Sequence, residues 1–391
     1  MKKITTLALA FLAVFSLSMG LCACSSDDDN NKEDEFTSAA NIDYSSSNAE
    51  QWGNYMVTVA SLLRTDASNL YKYWNETSND TYSDSYANIF KNHNGTEGYS
   101  SALNCVQQLI EGCADIASEV GASKIGDPYN LYVAGQKTEA LYAVESWYSW
   151  HSRDDYTNNI YSIRNSYYGS RNGSVNANSL SALLAEKNPT LNAQAIAYIN
   201  AAANAIQAIP QPFRNNINSS EAKAAMEACG ELEDFLKNDL EAYFTSNAST
   251  FTDAVLDPIV EQYVDGVVLP TYKELAEKNA TLYTKVVAFK KSPSTANFAA
   301  CAEAWLSARE PWESSEAFLF GPVDAKGLDP NMDSWPLDQV GIVNILKSQD
   351  FKNLEWSEDE GEDEIEAAQS LRGFHTLEFL VFKDGEARSV K

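Results

Sequence analysis

Apolar residues recur every three or four positions along most of this chain. Trp52, Tyr55, Met56, Val59, Leu62 and Leu63 keep that spacing, and so do Leu103, Val106, Leu109, Ile110 and Cys113. Such a stripe places apolar side chains on one face of an α-helix. Comparable stripes run through 137–150, 192–209, 221–244, 255–289 and 294–308. Sustained two-residue alternation, the mark of a half-buried strand, is nearly absent. Phe379–Phe382 is the one strand-like run, and it reads as a continuation of the helix before it. Gly- and Asn-rich stretches at 92–98, 169–178 and 321–331 punctuate the helices as loops. The fold expected is all-α, with antiparallel helices packed in bundles.

A length of 391 residues suggests two such units. The polar stretch Thr245–Thr252 divides a helical region at 45–248 from a second at 249–391, each long enough for its own core. Residues 1–23 read as a lipoprotein signal. Lys2 and Lys3 precede an apolar run from Ile4 to Met19, and Leu21-Cys22-Ala23-Cys24 forms a processing box. The run is shorter than the ~20 residues that span a bilayer. Cys24 is the expected lipidation site, since a cut before Cys22 would put bulky Leu21 beside the cleavage. Residues 24–44, rich in Asp and Glu at their start, are expected to form a solvated tether. The chain should therefore be anchored in a membrane through lipid, on the outer membrane and at the cell surface, with the periplasmic face as the alternative.

The formal net charge is −27, and removing Lys2 and Lys3 makes it more negative by two. Nucleic acid is excluded as a partner, because phosphates require a basic footprint. A field of this sign instead gathers cations. Four cysteines lie in the part expected to fold: Cys105, Cys113, Cys229 and Cys301. Cys105 and Cys113 are eight residues apart, about 12 Å along one helix, and cannot bridge there. No other pairing can be assigned.

Chemistry concentrates near the end of the sequence. Gly373-Phe-His-Thr-Leu-Glu378 contains one of only three histidines, with His375 and Glu378 on one helical face. Upstream lies a block of acids, indoles and one guanidinium: Trp305, Arg309, Trp312, Glu313, Glu316, Asp324, Asp333, Trp335 and Asp338. Several carboxylates with one imidazole suit a metal cation better than a nucleophile. Glu313 and Glu316 repeat the three-residue spacing. Pro311 just before them either kinks a helix, at roughly 3 kcal/mol, or opens a new one. Asp333 and Asp338 are further oxygen ligands or else a turn former and a helix cap. A second polar segment, Glu145-Ser-Trp-Tyr-Ser149-Trp-His-Ser152-Arg-Asp-Asp155, implies an internal hydrogen-bond network or a cleft. His-Glu-x-x-His, Gly-x-Ser-x-Gly and Walker motifs are all missing.

Taken together, Trp305-x3-Arg309-x2-Trp312-x3-Glu316, Asp333-Ser-Trp-Pro-Leu-Asp338, Gly373-x-His375-x-x-Glu378 and the Glu145–Gly169 block resemble the imelysin-like family. That family is classed with the M75 peptidases and linked to bacterial iron acquisition. The resemblance covers most of 45–391. It departs from the family in order, because the Glu-Ser-Trp block here precedes the Gly-x-His-x-x-Glu block, as a circular permutation joined near 245–252 would arrange them. A permutation is physically permissible where termini lie close together at the surface. The resemblance implies a two-part helical fold and a cation site using His375, Glu378, Glu316, Glu313 and Asp333. Glu145, Ser149, Ser152 and Asp155 would line the opposite wall of a cleft that also holds Arg309, Trp312 and Trp335. Ligation of this kind suits iron or another divalent metal.

The function expected is a lipid-anchored extracytoplasmic binding protein for a metal ion or a small metal-bearing ligand. It would serve iron uptake and hand its cargo to an uptake protein. Two alternatives stand beside it. One is an M75-type metallopeptidase in which Glu378 or Glu316 activates a metal-bound water, and the other is a peptide-binding or adhesion scaffold using the aromatic cleft.

Overall fold

A computed structural model describes residues 38–356 and 361–391. The signal, Cys24 and residues 24–37 of the tether lie outside the described residues. Asp43–Lys391 forms one unit, and its architecture is all-α. No described helix is long and apolar enough to cross a membrane.

The framework follows the stripes. Helix α1 (Ala49–Asn75) buries Trp52, Tyr55, Met56, Val59, Leu63, Leu70 and Trp74 along one face. Helix α2 (Ala102–Ser118) starts where the Ser101 hydroxyl accepts the Asn104 N–H, a standard cap. It runs on into a π-helical segment, Glu119–Ile125. Helix α3 (Ser152–Tyr168) ends at Gly169, whose φ of 63° provides the left-handed stop. Helices α4 (Pro189–Ala208) and α5 (Ser220–Phe235) follow. Helix α6 (Asp253–Tyr263) passes through another π segment, Val264–Val268, into α7 (Leu269–Lys291), and α8 (Thr295–Glu313) returns alongside it. Two short helices complete the frame: α9 (Leu328–Asp333) and α10 (Gly373–Val381).

α7 packs along both α1 and α8, while α4 packs on α5 and α3, and α2 on α5. Helix α1, from before residue 249, is thus laid against α7, from after it. Two indoles fasten α10 into this frame. Trp52 Nε1 donates to the Leu380 carbonyl at 2.9 Å, and Trp305 Nε1 donates to the Phe374 carbonyl at 2.9 Å. Both rings are fully buried, which contributes about 2–3 kcal/mol each.

Three local expectations differ from what is observed. The stripe at 137–150 is helical only over Lys137–Tyr142 and then breaks into turns. The 321–331 loop contains the short helix Pro322–Ala325 and the first turn of α9. The helix through Phe379 stops at Val381, and Phe382–Lys383 pairs antiparallel with Glu386–Ala387. Asp384 and Gly385, with φ of 52° and 83°, form the turn between them, as a two-residue hairpin requires. Pro311 opens no new helix; it sits in the last turn of α8. The four cysteines are buried free thiols.

Candidate functional site

The site begins at a glycine. Gly373 has φ +83°, and a Cβ there would lie 2.4 Å from the Met332 carbonyl oxygen. Only glycine lets α10 start this close to α9. One turn of α10 then presents His375 and Glu378 on the same face, both fully buried.

Glu378 is held on every side. Its Oε1 accepts the backbone N–H groups of Tyr148 at 3.0 Å and Ser149 at 2.7 Å, and Oε2 meets His375 Nδ1 at 3.0 Å. Those two N–H groups come from the irregular segment after Tyr142, in which Ser146 and Trp150 take positive φ. The other imidazole nitrogen, Nε2, faces Asp333 Oδ1 at 3.1 Å and Glu145 Oε1 at 3.2 Å. Trp335 packs edge-on to the ring, with centroids 4.8 Å apart, and its own N–H donates to the Ala143 carbonyl.

Arg309, on α8 and completely buried, ties the two halves of the sequence together. Its Nη2 lies 2.7 Å from Glu145 Oε1, its Nε lies 2.6 Å from Glu313 Oε1, and its Nη1 pairs with Asp333. Asp155 stands 3.7 Å from Nε and also takes the Ser146 hydroxyl at 2.5 Å and His151 Nδ1 at 2.8 Å. Trp312 Nε1 donates to Asp333 Oδ2 at 2.6 Å, and Asn159 donates to Glu313 Oε2 at 2.6 Å. Lys124 reaches in from the π segment, 3.1 Å from Glu145 Oε2.

Glu316 is different. It is 94% withdrawn from solvent, yet among the described residues its carboxylate makes no hydrogen bond or ion pair. One of its oxygens lies within 4.8 Å of oxygens from Glu313 and Asp333. A second triad with the same limit is Glu145, Asp333 and His375. Seven carboxylates (Glu145, Asp155, Glu313, Glu316, Asp329, Asp333 and Glu378) therefore share Lys124, Arg309 and His375. Even with His151 added, the acids are in excess.

The proton affinities show where the excess falls. Burial and Arg309 push the His375 imidazole down, but Asp333 and Glu145 outweigh them and hold it well above its usual value. Burial raises Asp333 and Glu145, and the neighbouring cations overcome it, leaving both lowered. Glu313 is pushed up to about 8 by burial, despite Arg309. Asp329 is pushed up to about 7 by burial and then by Asp333. Burial holds Glu316 well above the carboxylate range. The site thus splits into a charge-compensated part around Arg309, which includes Glu313, and the unpaired carboxylate of Glu316 beside it.

Most residues singled out in the sequence meet here: Glu145, Asp155, Arg309, Trp312, Glu313, Glu316, Asp333, Trp335, His375 and Glu378. Ser149 contributes its N–H, and the Ser152 hydroxyl donates to the Glu145 carbonyl at 2.5 Å. Asp338 is a helix cap, accepting the Gly341 N–H at 2.8 Å, and Asp324 is exposed. Sequence reasoning missed Lys124 and Asp329. Nothing in the pattern Gly121-Ala-Ser-Lys124 marks an inward ammonium, because the π register turns it there.

The fold and site define an all-helical protein built around a buried carboxylate–imidazole–guanidinium cluster. The model of the imelysin family, peptidase M75, matches residues 27–238 and 268–391, and the chain belongs to that family. A crystal structure of an imelysin peptidase from Bacteroides ovatus is 60% identical, with a TM-score of 0.88. The likeness covers 90% of this chain and 100% of that one. Iron-regulated protein A of Synechococcus elongatus is 34% identical over 128 residues, 33% of this chain and 32% of that protein. The match thus spans about a third of that relative's length.

Proposed function

We propose that the protein is a lipid-anchored extracytoplasmic binding protein that takes up a metal cation, or a small ligand bearing one, in the service of iron uptake. It acts by ligation, without turnover. The observation that carries this reading is the Glu316 carboxylate, buried beside Glu313 and Asp333 with no partner. A buried ionisable group without a partner is costly and is retained where a ligand compensates it. The Glu145–Asp333–His375 triad offers equally close donors, but Arg309 already lies against all three. We therefore assign the cation to Glu313, Glu316 and Asp333. His375 fixes Asp333, and Glu378 fixes His375. All-oxygen ligation suits a hard or borderline cation such as iron. The name of the Synechococcus relative supports the link to iron.

The lipid anchor at Cys24 and display at the outer membrane rest on the leader and the acidic stretch behind it. The permuted order draws support from two facts. The matched segments flank 245–252. Asp43 also pairs with Arg388 at 2.9 Å and Lys391 at 3.7 Å, the closeness of ends that a permutation needs.

The competing reading is a metallopeptidase, as the name of the Bacteroides ovatus relative suggests. Glu378 is too fully engaged to serve as its base, so Glu316 would have to activate the water. Titration of chelator-stripped protein with metal, run beside a peptide-cleavage assay, separates the two. The binder gives tight one-to-one binding and no cleavage, whereas chelator-sensitive cleavage lost in Glu316→Gln would establish the peptidase.

A further inference from the structure

Lys124 is the one cation of this cluster that no motif contains. Its side chain is 9% exposed, and Nζ lies 3.1 Å and 3.4 Å from the two oxygens of Glu145 and 3.6 Å from Glu119 Oε1. It stands near the end of the π-helical segment Glu119–Ile125. An inserted π turn shifts the register of everything after it and is found often at functional sites. The backbone of this segment is pinned. A Cβ on Gly121 would lie 2.9 Å from Cys229 Cβ and 3.3 Å from the Met226 carbonyl oxygen, both on α5. The Tyr156 hydroxyl donates to the Lys124 carbonyl at 3.2 Å. The backbone is fixed, while the side chain beyond it is a four-carbon stem with rotatable bonds.

We infer that Lys124 is the internal counter-cation of the carboxylate centre, and that its ammonium competes with the incoming metal and sets how tightly the metal is held. This rests on the reading that Glu313, Glu316 and Asp333 bind a cation. Two observations distinguish Lys124 from Arg309 in this role. Arg309 is a planar fork locked on Glu145, Glu313 and Asp333 with its carbon face over Phe374, so it cannot leave without orphaning several carboxylates. Lys124 is a point charge on a flexible stem, and Glu145 keeps both Arg309 and His375 when it withdraws. Both cations are held well above their usual values against the effect of burial, and for Lys124 the carboxylates responsible are Glu145, Glu316, Glu119 and Glu313. The ammonium therefore feels the carboxylates that the metal would use. Binding in this scheme is an exchange of one positive charge for another, and it breaks and forms no covalent bond.

The test is calorimetric titration of the full chain, chelator-stripped, with manganese(II) and zinc(II), comparing wild type, Lys124→Met and Lys124→Arg. Removal of a like charge should tighten the dissociation constant of Lys124→Met by about tenfold or more, while Lys124→Arg stays near wild type. Binding by Lys124→Met where wild type shows none would support the inference equally, since the ammonium would then be excluding the probe. A folded Lys124→Met that binds no more tightly than a binding-competent wild type overturns the inference and leaves the metal site standing. Absence of binding in all three overturns both. Should Lys124→Met fail to fold, Lys124→Gln carries the same expectation, because it keeps a polar end for Glu145.

Discussion

Two glutamates three or more residues from a landmark look alike on paper but have opposite surroundings. Glu378 accepts two backbone N–H groups and faces His375. Glu378→Gln keeps one oxygen for the two N–H groups but turns an NH2 donor toward His375 Nδ1, so unfolding by urea should show a loss of about 2 kcal/mol. Glu316 has no partner and a raised pKa caused first by burial. Glu316→Gln breaks no hydrogen bond or ion pair, and it should therefore change that stability by less than about 0.5 kcal/mol. His151 supplies a pH test. Burial pulls its pKa down, but Asp155 and then Asp154 carry it up to about 9 from 6.5. A raised folded-state pKa means that the stabilisation is complete below about 6.5 and is lost as the pH rises through about 9. The melting temperature of wild type should exceed that of His151→Gln at about pH 6, and the gap should close by about pH 9.5. A gap that does not change with pH would rule out the His151–Asp155 ion pair as its source.

At the level of elements, what the sequence disclosed depended on range. Stripes such as those of α1 and α8 declare themselves locally, because a helix face is written in consecutive turns. The breakdown after Tyr142 was hidden. Trp147 and Tyr148 keep an apolar stripe going, but Glu378, 229 residues beyond Ser149, captures the backbone N–H groups a helix would have used. The π segment was hidden for a similar reason, since only α5 pressing on Gly121 shows it. The candidate site was legible in its residue types, which cluster in four short strings. Its division into a compensated part and an unpaired carboxylate was not, because that turns on where one guanidinium and one ammonium point. The α9–α10 junction has its own prediction. Gly373→Ala places a methyl against the Met332 carbonyl and strains a positive φ. It should cost about 1–3 kcal/mol in chemical unfolding and weaken metal binding by moving His375. An unchanged melting curve would mean that α10 can start elsewhere.

Across the molecule, the fold is closed by a buried guanidinium. Arg388 donates to the Phe379 carbonyl, pairs with Asp43 and lies over Trp52 at 5.0 Å. It joins residues near both ends of the folded unit, so Arg388→Met should lower global stability by about 3 kcal/mol without altering metal stoichiometry. The net charge of −27 draws cations to such a protein, while the interior surplus of carboxylates gives one of them a reason to enter. Glu316 is the clearest member of that surplus. The most direct test is calorimetric titration of iron(II), under anaerobic conditions, into chelator-stripped wild type and Glu316→Gln. Wild type should bind one-to-one, with binding weakened by at least about a hundredfold in a Glu316→Gln protein that melts as wild type does. Equal affinity in the two proteins, or no binding by a well-folded wild type, would contradict it.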